Sequence, residues 1–482
     1  MTKKSFTFNG IRKPWLHMTR GRTKPLITPV QRNLLNVSGM HGAHLQSSEV
    51  DAMPFNQPIA FIAKNDEHAL QLKDELAEWL ITEEPAELKF DDEPGRTYYA
   101  IVQNTIEDFE RIGIMRQGSI SFLCLDPYAY GEEDTKEFTS DTAIISNPGT
   151  APADPIIELE VEEATTFAMV QNQNQEYMMI GTPIEDDIEV VNGKELILTE
   201  NGSTLDKWDT TPTRIDSWIG NIAGNMRHDG TGILAESYGT GDKMHGPAVI
   251  KEIPPVQDFE IDTTFDIISN FEIDNYRMEI YMFDEGMNML GKMGVNDNNR
   301  NLWRRNGLGR VGEYVDNSTR YVIGGGNYQQ DDLKKVSLMY LRVKREGKKV
   351  TFYIAEIRNG RHHATLTRSM NVSSDYLGKL KYVQLFIGNW KDRNRTFRTR
   401  INYVNVYELA QNTVDNTPYI LYPGDIVTFD HVNEEILING EDRKDLKDFG
   451  GSFFSLTKGE NQLIMHPANS FFGNVKFRPR YR

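Results

Sequence analysis

The chain has 482 residues, 39% hydrophobic and 10% aromatic, enough for packed cores in about three domains of ~150 residues each. Its net charge of −17 argues against wrapping nucleic acid, and its single cysteine, Cys124, excludes a disulfide framework and a Cys-based zinc site. No apolar run approaches the ~20 residues of a membrane span and residues 1–20 hold no secretory core, so a protein made and used without export, with no membrane partner, is expected.

Residues 5–11 alternate Phe6 and Phe8 and then turn at Asn9-Gly10, the pattern of a hairpin strand with one buried face. Before Glu49 there is no acidic residue, while Lys3, Lys4, Arg12, Lys13, Arg20, Arg22, Lys24 and Arg32 are basic. This arm reads either as a solvated hairpin face or as a surface that docks onto the acidic face of a neighbouring subunit. A strand candidate over 54–64 leads into Asn65-Asp66-Glu67, an N-cap followed by first-turn acids. Ala69, Leu72, Leu76 and Leu80 then recur at helical spacing, and the helix ends before Pro85. Segments 98–102, 110–115 and 117–125 read as three antiparallel strands, with Cys124 a buried thiol rather than a nucleophile. Together they make an α+β unit over 1–130, closed by Asp126-Pro127-Tyr128.

A linker rich in acids, 131–141, comes next. Segments 144–149 and 153–161 open a β-sandwich whose first strands run to about 198 and whose last strands resume at about 418. Pro423-Gly424-Asp425, Asn439-Gly440 and Gly459-Glu460-Asn461 punctuate the closing half as turns. Neither half closes a sandwich alone, so pairing of 142–198 with 418–482 across an insert is expected.

The insert, 199–413, has strand candidates at 258–267, 276–283, 336–344, 349–356, 382–387 and 401–409, spaced as in a two-sheet sandwich. Gly307-Leu-Gly309-Arg-Val-Gly312 spells a dinucleotide fingerprint without the preceding strand or following helix, and is expected to be a glycine-rich loop. Glu260, Asp262 and Thr264 alternate along one strand. Retaining glycosidases on concanavalin-like sandwiches place three carboxylates in this way, and a threonine at the third position cannot protonate a leaving oxygen. A second near-match, Glu272-Ile-Asp274-Asn-Tyr276, also lacks its third acid, so hydrolysis is not expected.

Sugar binding without hydrolysis needs aromatic platforms with amide and carboxylate neighbours. Four of the six tryptophans, Trp208, Trp218, Trp303 and Trp390, fall in the insert. Trp303 and Trp390 are the platform candidates, with Asp297, Asn299 and Tyr276 as accompanying groups. Core packing is the alternative for all four, more so for Trp208 and Trp218. His362-His363 lacks neighbouring ligands, so neither metal nor cofactor is expected. Asn317-Ser-Thr319 and Asn394-Arg-Thr396 matter as glycosylation sites only in a secreted eukaryotic protein.

Both ends of the chain resemble siphophage distal tail proteins. At the C-terminal end the resemblance rests on 422–431, on 435–440, and on Phe453, Phe454, Leu456, Gly459, Asn461 and Leu463. Earlier it rests on Phe6-x-Phe8-Asn9-Gly10, Asp126-Pro127-Tyr128, Asn147-Pro148-Gly149 and 155–159. The insert resembles, more weakly, concanavalin-like carbohydrate-binding modules, which extended members carry at this position.

The resemblance implies a mainly β chain in three parts: an α+β N-terminal ring (belt) domain over 1–130, a galectin-like β-sandwich over 142–198 plus 418–482, and a concanavalin-like β-sandwich over 199–413. It implies a structural baseplate hub in the virion, a homo-hexameric ring, single or stacked, between the tail tube protein and the tail-tip (tail-associated) protein. DNA would pass only through the lumen, a receptor-binding protein would dock, and the insert would hold bacterial cell-wall saccharide. A wall-polysaccharide depolymerase, and a purely structural hub whose insert docks receptor-binding proteins, are the alternatives.

Overall fold

The computed structural model describes residues 4–103, 109–183, 189–191, 193–209, 212, 214–216, 220–269, 271, 274–299, 304–314, 321–325, 336–372, 376–391, 398–409 and 416–482. Among these, the first unit is a seven-stranded antiparallel sheet ordered Phe6–Phe8, Ala86–Phe90, Tyr98–Val102, Met115–Cys124, Met53–Ile62, His17–Met18, with Glu110–Ile112 alongside Met115–Cys124. The helix Asp66–Leu80 starts where Asn65 Oδ1 accepts the His68 amide at 2.8 Å. It lays Ala69, Leu72, Leu76, Trp79 and Leu80 onto that sheet. Phe6 stacks on Trp79 at 5.5 Å, and Trp79 Nε1 donates to the Phe8 carbonyl at 3.0 Å, so the Phe-x-Phe strand is fixed by the helix it faces.

Four cations of the basic arm are paired inside the unit. Arg12 pairs with Asp91 at 2.5 Å, Lys13 with Glu75 at 2.5 Å, Arg22 with Asp92 and Glu93 at 2.8 and 2.6 Å, and Lys24 with Glu93 at 2.7 Å. The strand pairing of Phe6–Phe8 with Ala86–Phe90 delivers Asp91, Asp92 and Glu93, and the helix delivers Glu75, so these four cations are paired within their own unit. Beyond it, Val30–Leu35 and His44–Val50 form a two-stranded ribbon that pairs with no other described strand.

The next sandwich is woven from both sides of the insert. Ile156–Val161 lies between Phe471–Phe477 and Ile426–Asp430, and Glu435–Ile438 and Glu441–Asp442 extend that sheet. The facing sheet runs Thr142–Asn147, Gly459–His466, Phe167–Asn172, Tyr177–Gly181. Ile157, Leu159, Val161, Val427, Phe429, Leu463, Met465 and Val475 fill the core between them. Two motif asparagines tie the halves together. Asn147 donates to the carbonyls of Ala151 and Leu456, and Asn461 closes its own turn by accepting the Thr457 amide while donating to the Thr457 and Gly459 carbonyls.

Two stretches differ from expectation. Asp134–Glu137, inside the supposed linker, is a strand on Phe471–Phe477, held because Phe138 plugs the core beside it. Lys194–Glu200 pairs with Arg398–Leu409, a strand of the insert, instead of with the split sandwich.

The insert is two eight-stranded sheets among the described residues. One runs Asn225–His228, Ile233–Ser237, Arg398–Leu409, Phe259–Ile268, Val336–Glu346, Lys349–Arg358, Arg361–Asn371, with Lys194–Glu200 beside Arg398–Leu409. The other runs Gly220–Ile222, Met244–Gly246, Leu380–Trp390, Tyr276–Asp284, Met289–Asp297, Asn306–Val311, Tyr321–Gly325, with Ala248–Val256 beside Leu380–Trp390. The glycine run is therefore a strand, Asn306–Val311, and not a loop. Its Gly309 is required by packing: a Cβ there would sit 2.7 Å from the Phe352 ring of the facing sheet.

Because Arg22 is largely buried and serves two acids and Gln57, Arg22→Ala should destabilise the first unit by ~2–3 kcal/mol in urea unfolding. Arg12→Ala, at an exposed pair, should cost at most ~1 kcal/mol.

Candidate functional site

The insert offers two outer sheet faces. On Phe259–Ile268 the residues Phe259, Ile261, Phe265 and Ile267 enter the core, which sends Glu260, Asp262, Thr264 and Asp266 to the opposite face. Register sets Arg342, Tyr340 and Lys344 beside them on one side and Tyr407, Asn405 and Tyr403 on the other. Asn405 Nδ2 donates to Asp262 at 3.1 Å, Lys194 Nζ lies 3.6 Å from Glu260, and Asp266 pairs with Arg398 and Arg400 at 2.9 Å. Burial, reinforced by the charge of Glu260, pushes the Asp262 carboxyl up to about 7. Burial also raises the phenols of Tyr340, Tyr403 and Tyr407 above their ordinary range.

This face does not open to solvent as a cleft. Glu441 of the split sandwich reaches across to accept both guanidinium nitrogens of Arg342 at 2.7 and 2.8 Å. Lys194 sits between Tyr407 of the insert and Tyr422 of the sandwich, 4.5 and 5.3 Å from their rings. Thr264 occupies the third position of the carboxylate series, and the next acid, Asp266, is spoken for by two arginines.

On the second sheet, Met278, Ile280 and Met282 face the core while Arg277, Glu279 and Tyr281 face outward. A segment crossing this face carries Asp216. It pairs with Arg310 at 2.6 Å and Lys292 at 2.5 Å, and Lys292 continues to Glu279 at 2.6 Å, with Arg277 at 3.1 Å on the same carboxylate. Burial alone raises the Glu279 and Asp216 carboxyls, and their cations outweigh it, so both stay ionised below the usual range. Sequence reasoning missed this cluster, although Arg277 and Glu279 alternating with three apolar residues was its visible signal.

The five predicted site residues fare differently. Trp390 ends Leu380–Trp390 on the outer side of this sheet, half-buried, with Lys391 Nζ 5.9 Å from its ring. Tyr276 pairs in register with both Asp297 and Asn389, so the structure does bring Tyr276, Asp297 and the Trp390 strand end into one row. Tyr276 itself, at 0% exposure, belongs to the core and offers no face to a ligand, which corrects its assignment as a platform neighbour. Asp297 is equally buried and holds a loop: its carboxylate accepts the amides of Asn299 at 3.1 Å and Arg304 at 2.7 Å. Burial pushes that carboxyl up to about 6. Asn299 is half-exposed and its carbonyl accepts Asn275 Nδ2 at 2.6 Å. Trp303 and Trp218 lie outside the described residues, as do both sequons. Trp208 is buried and donates Nε1 to Glu200 at 2.8 Å, a core tryptophan.

Comparison with known proteins bears on the two ends. Residues 12–124 match the model of the phage tail protein RIFT-related domain, and 392–481 match that of the siphovirus-type tail component C-terminal domain. The first match falls on the N-terminal sheet unit, and the second runs from the last strand of the insert through the closing strands of the split sandwich. Its two ends thus carry the domains of a siphovirus-type tail component. A tail component places the chain in the virion, at the phage tail. The distal tail protein of Bacillus phage SPP1 is 25% identical over 150 residues, 30% of this chain and 57% of that relative's length. Its crystal structure, described as a hub adsorption apparatus paradigm in phages infecting Gram-positive bacteria, aligns at TM-score 0.34 and 17% identity over 38% of this chain and 76% of that one. The CBM2 module of the evolved Dit of Lactobacillus casei BL23 phage J-1 aligns at TM-score 0.40 and 10% identity, over 46% of this chain and all of the module (100%). A family GH16 endo-β-1,3(4)-glucanase aligns at TM-score 0.33 and 11% identity, over 52% and 98%.

Asp262 gives a pH signature. Its folded pKa lies above the ordinary carboxylate value, so its stabilising effect is complete below about pH 4 and is lost as pH rises through 7. Urea unfolding followed by tryptophan fluorescence should show wild-type stability falling on the order of 2 kcal/mol between pH 5 and 8 from this group. Asp262→Asn should remove that slope.

Proposed function

We propose that this distal tail protein forms the ring that joins the tail tube protein to the tail-tip protein, and that its insert holds a bacterial cell-wall saccharide without cleaving it. The observation that carries the hub reading is the pair of family matches, one on the N-terminal sheet unit and one on the closing half of the split sandwich. In this reading 1–130 builds the ring, a hexamer as the resemblance implies, with a lumen for DNA. The split sandwich and insert form the outward part, where a receptor-binding protein also docks.

Assembly through the first unit is supported by the ribbon Val30–Leu35/His44–Val50. Leu34 and Leu45 are each 56% exposed, with Val30, Leu35, Val37, Met40 and Val50 also outward. A lone two-stranded ribbon is marginal in water, and a contiguous exposed apolar surface marks an interface. We assign a second copy of the chain as its cover. Ile62, Ile112 and Ile114 gather around Met115 at another edge of the same unit, and a head-to-tail contact between the two patches closes rings. Leu34→Asp with Leu45→Asp should reduce the assembled mass to that of a monomer in light scattering at micromolar protein. An unchanged multimer would reject the ribbon as the ring contact.

The saccharide reading rests on Trp390 on the outer side of the second sheet, with Asn299 just past Met289–Asp297, two strands away at the same end of that sheet. An aromatic platform contributes about 1–1.5 kcal/mol, so Trp390→Ala should weaken binding of the full chain to purified host wall polymer about ten-fold. No binding by wild type favours the docking-hub alternative. A depolymerase is favoured by one observation, the Asp262 carboxyl at about 7 beside Glu260, the separation of acidities that acid–base pairs use. Against it stand Thr264 and the closure of that face by Glu441. Release of reducing ends from wall polymer decides between them.

A further inference from the structure

Two short turns meet where the insert touches the split sandwich. Asn359-Gly360 joins Lys349–Arg358 to Arg361–Asn371, and Asn439-Gly440 joins Glu435–Ile438 to Glu441–Asp442. All four residues have positive φ, 49° and 74° in the first turn, 52° and 82° in the second, the signature of type I′ hairpin turns. The turns are pressed backbone to backbone. The His362 amide donates to the Gly440 carbonyl at 3.0 Å, and a Cβ on Gly440 would lie 2.1 Å from the Gly360 carbonyl oxygen. Gly440 is thus needed for its own φ and for its neighbour's approach.

Charge flanks the contact on both sides. Arg361 reaches Glu435 at 2.5 Å and Asp430 at 2.8 Å, and Asp430 is fully buried. Arg342 and Glu441 form a two-bonded pair with side chains only 24% and 15% exposed, a geometry stronger than an ordinary surface bridge. At the root of the insert the Lys194 amide donates to Tyr422 Oη at 3.0 Å. Tyr407, Arg342 and Arg361 lie on the first, third and fifth strands of a five-strand run, so the attachments span about 19 Å at ~4.8 Å per strand. A hinge turns about one line of contact; attachments this widely spread resist rotation about any of them.

We propose that the insert is locked to the split sandwich as one rigid body by this clasp of turns and arginines, and that the clasp, not the two connecting segments, sets where the insert points. The lock seals the Glu260–Asp262 face and leaves the Trp390 side outward; only this last consequence rests on the saccharide reading.

The test uses the full chain with Glu236→Cys, exposed on Ile233–Ser237, the second strand from the opposite edge of the same sheet, carrying a fluorophore. Cys124 is buried and burial pushes its thiol up to about 12, so it stays unlabelled. Time-resolved anisotropy should give the single slow decay of the whole particle. Arg342→Glu with Arg361→Glu should add a fast component from a swinging insert, and Gly440→Val, which leaves every charge in place, should add the same. Arg342→Glu with Glu441→Arg should suppress it again. A fast component already present in wild type, or wild-type decays in both broken variants, overturns the lock. Trp390→Ala should leave the decay unchanged, which separates this test from saccharide binding.

Discussion

Ile156–Val161 depends on backbone partners that the chain does not supply until more than two hundred residues later. Its left neighbour, Phe471–Phe477, and its right neighbour, Ile426–Asp430, both lie beyond the insert. A strand without partners leaves a row of amides and carbonyls unsatisfied and an edge open to wrong pairing. That one demand organises the molecule. It forces the two ends of the chain together, makes Asn147 bond to Leu456, and brings Arg480–Tyr481 back onto Ala129–Tyr130 next to the first unit.

The insert must meet this arrangement without disturbing it. The segments entering and leaving it run side by side, Glu189–Val191 against Asn416–Pro418, so the host sandwich sees a short gap whatever the size of the domain beyond. Of the insert's two polar faces, one lies against the host and the other carries its own buried ion cluster under the Asp216 segment. The glycosidase-like pair Glu260 and Asp262 lies on the covered face, held by Lys194 and Asn405, beside the Arg342–Glu441 pair that crosses to the host.

Much of this was legible because it is local. Asn9-Gly10 and Asn439-Gly440 announce turns by needing positive φ, the Asn65 cap and the Ala69–Leu80 spacing announce a helix, and Gly459 and Asn461 hold one turn between them. What was not legible depends on distant partners. The basic arm looks unpaired in sequence because Asp91, Asp92 and Glu93 lie about seventy residues away, across a strand pairing. Asp134–Glu137 carries no apolar alternation, since only Phe138 beside it is buried. Alternation in 276–282 shows that two faces exist, and cannot say that Tyr276 falls on the covered one. The run 307–312 reads as a loop because glycine in a strand earns its place from the facing sheet, where Phe352 leaves no room for more.

The interweaving has a kinetic side. A ribosome that has just made Tyr177–Gly181 has produced the first half of a sandwich whose partner strands are roughly 240 residues away, on the order of tens of seconds at ~5–20 residues per second. During that wait the half-sandwich exposes bare edges and apolar faces. The insert is complete in its own core and can fold before the last strands emerge, and its folding draws the two flanking segments side by side. A loop of more than two hundred residues is thereby shortened to a gap of a few, and most of the entropy of closing it is met by the insert's own folding. In nascent chains the domain that reaches outward would thus also act as an assembly aid, holding the unfinished sandwich ready for its missing strands.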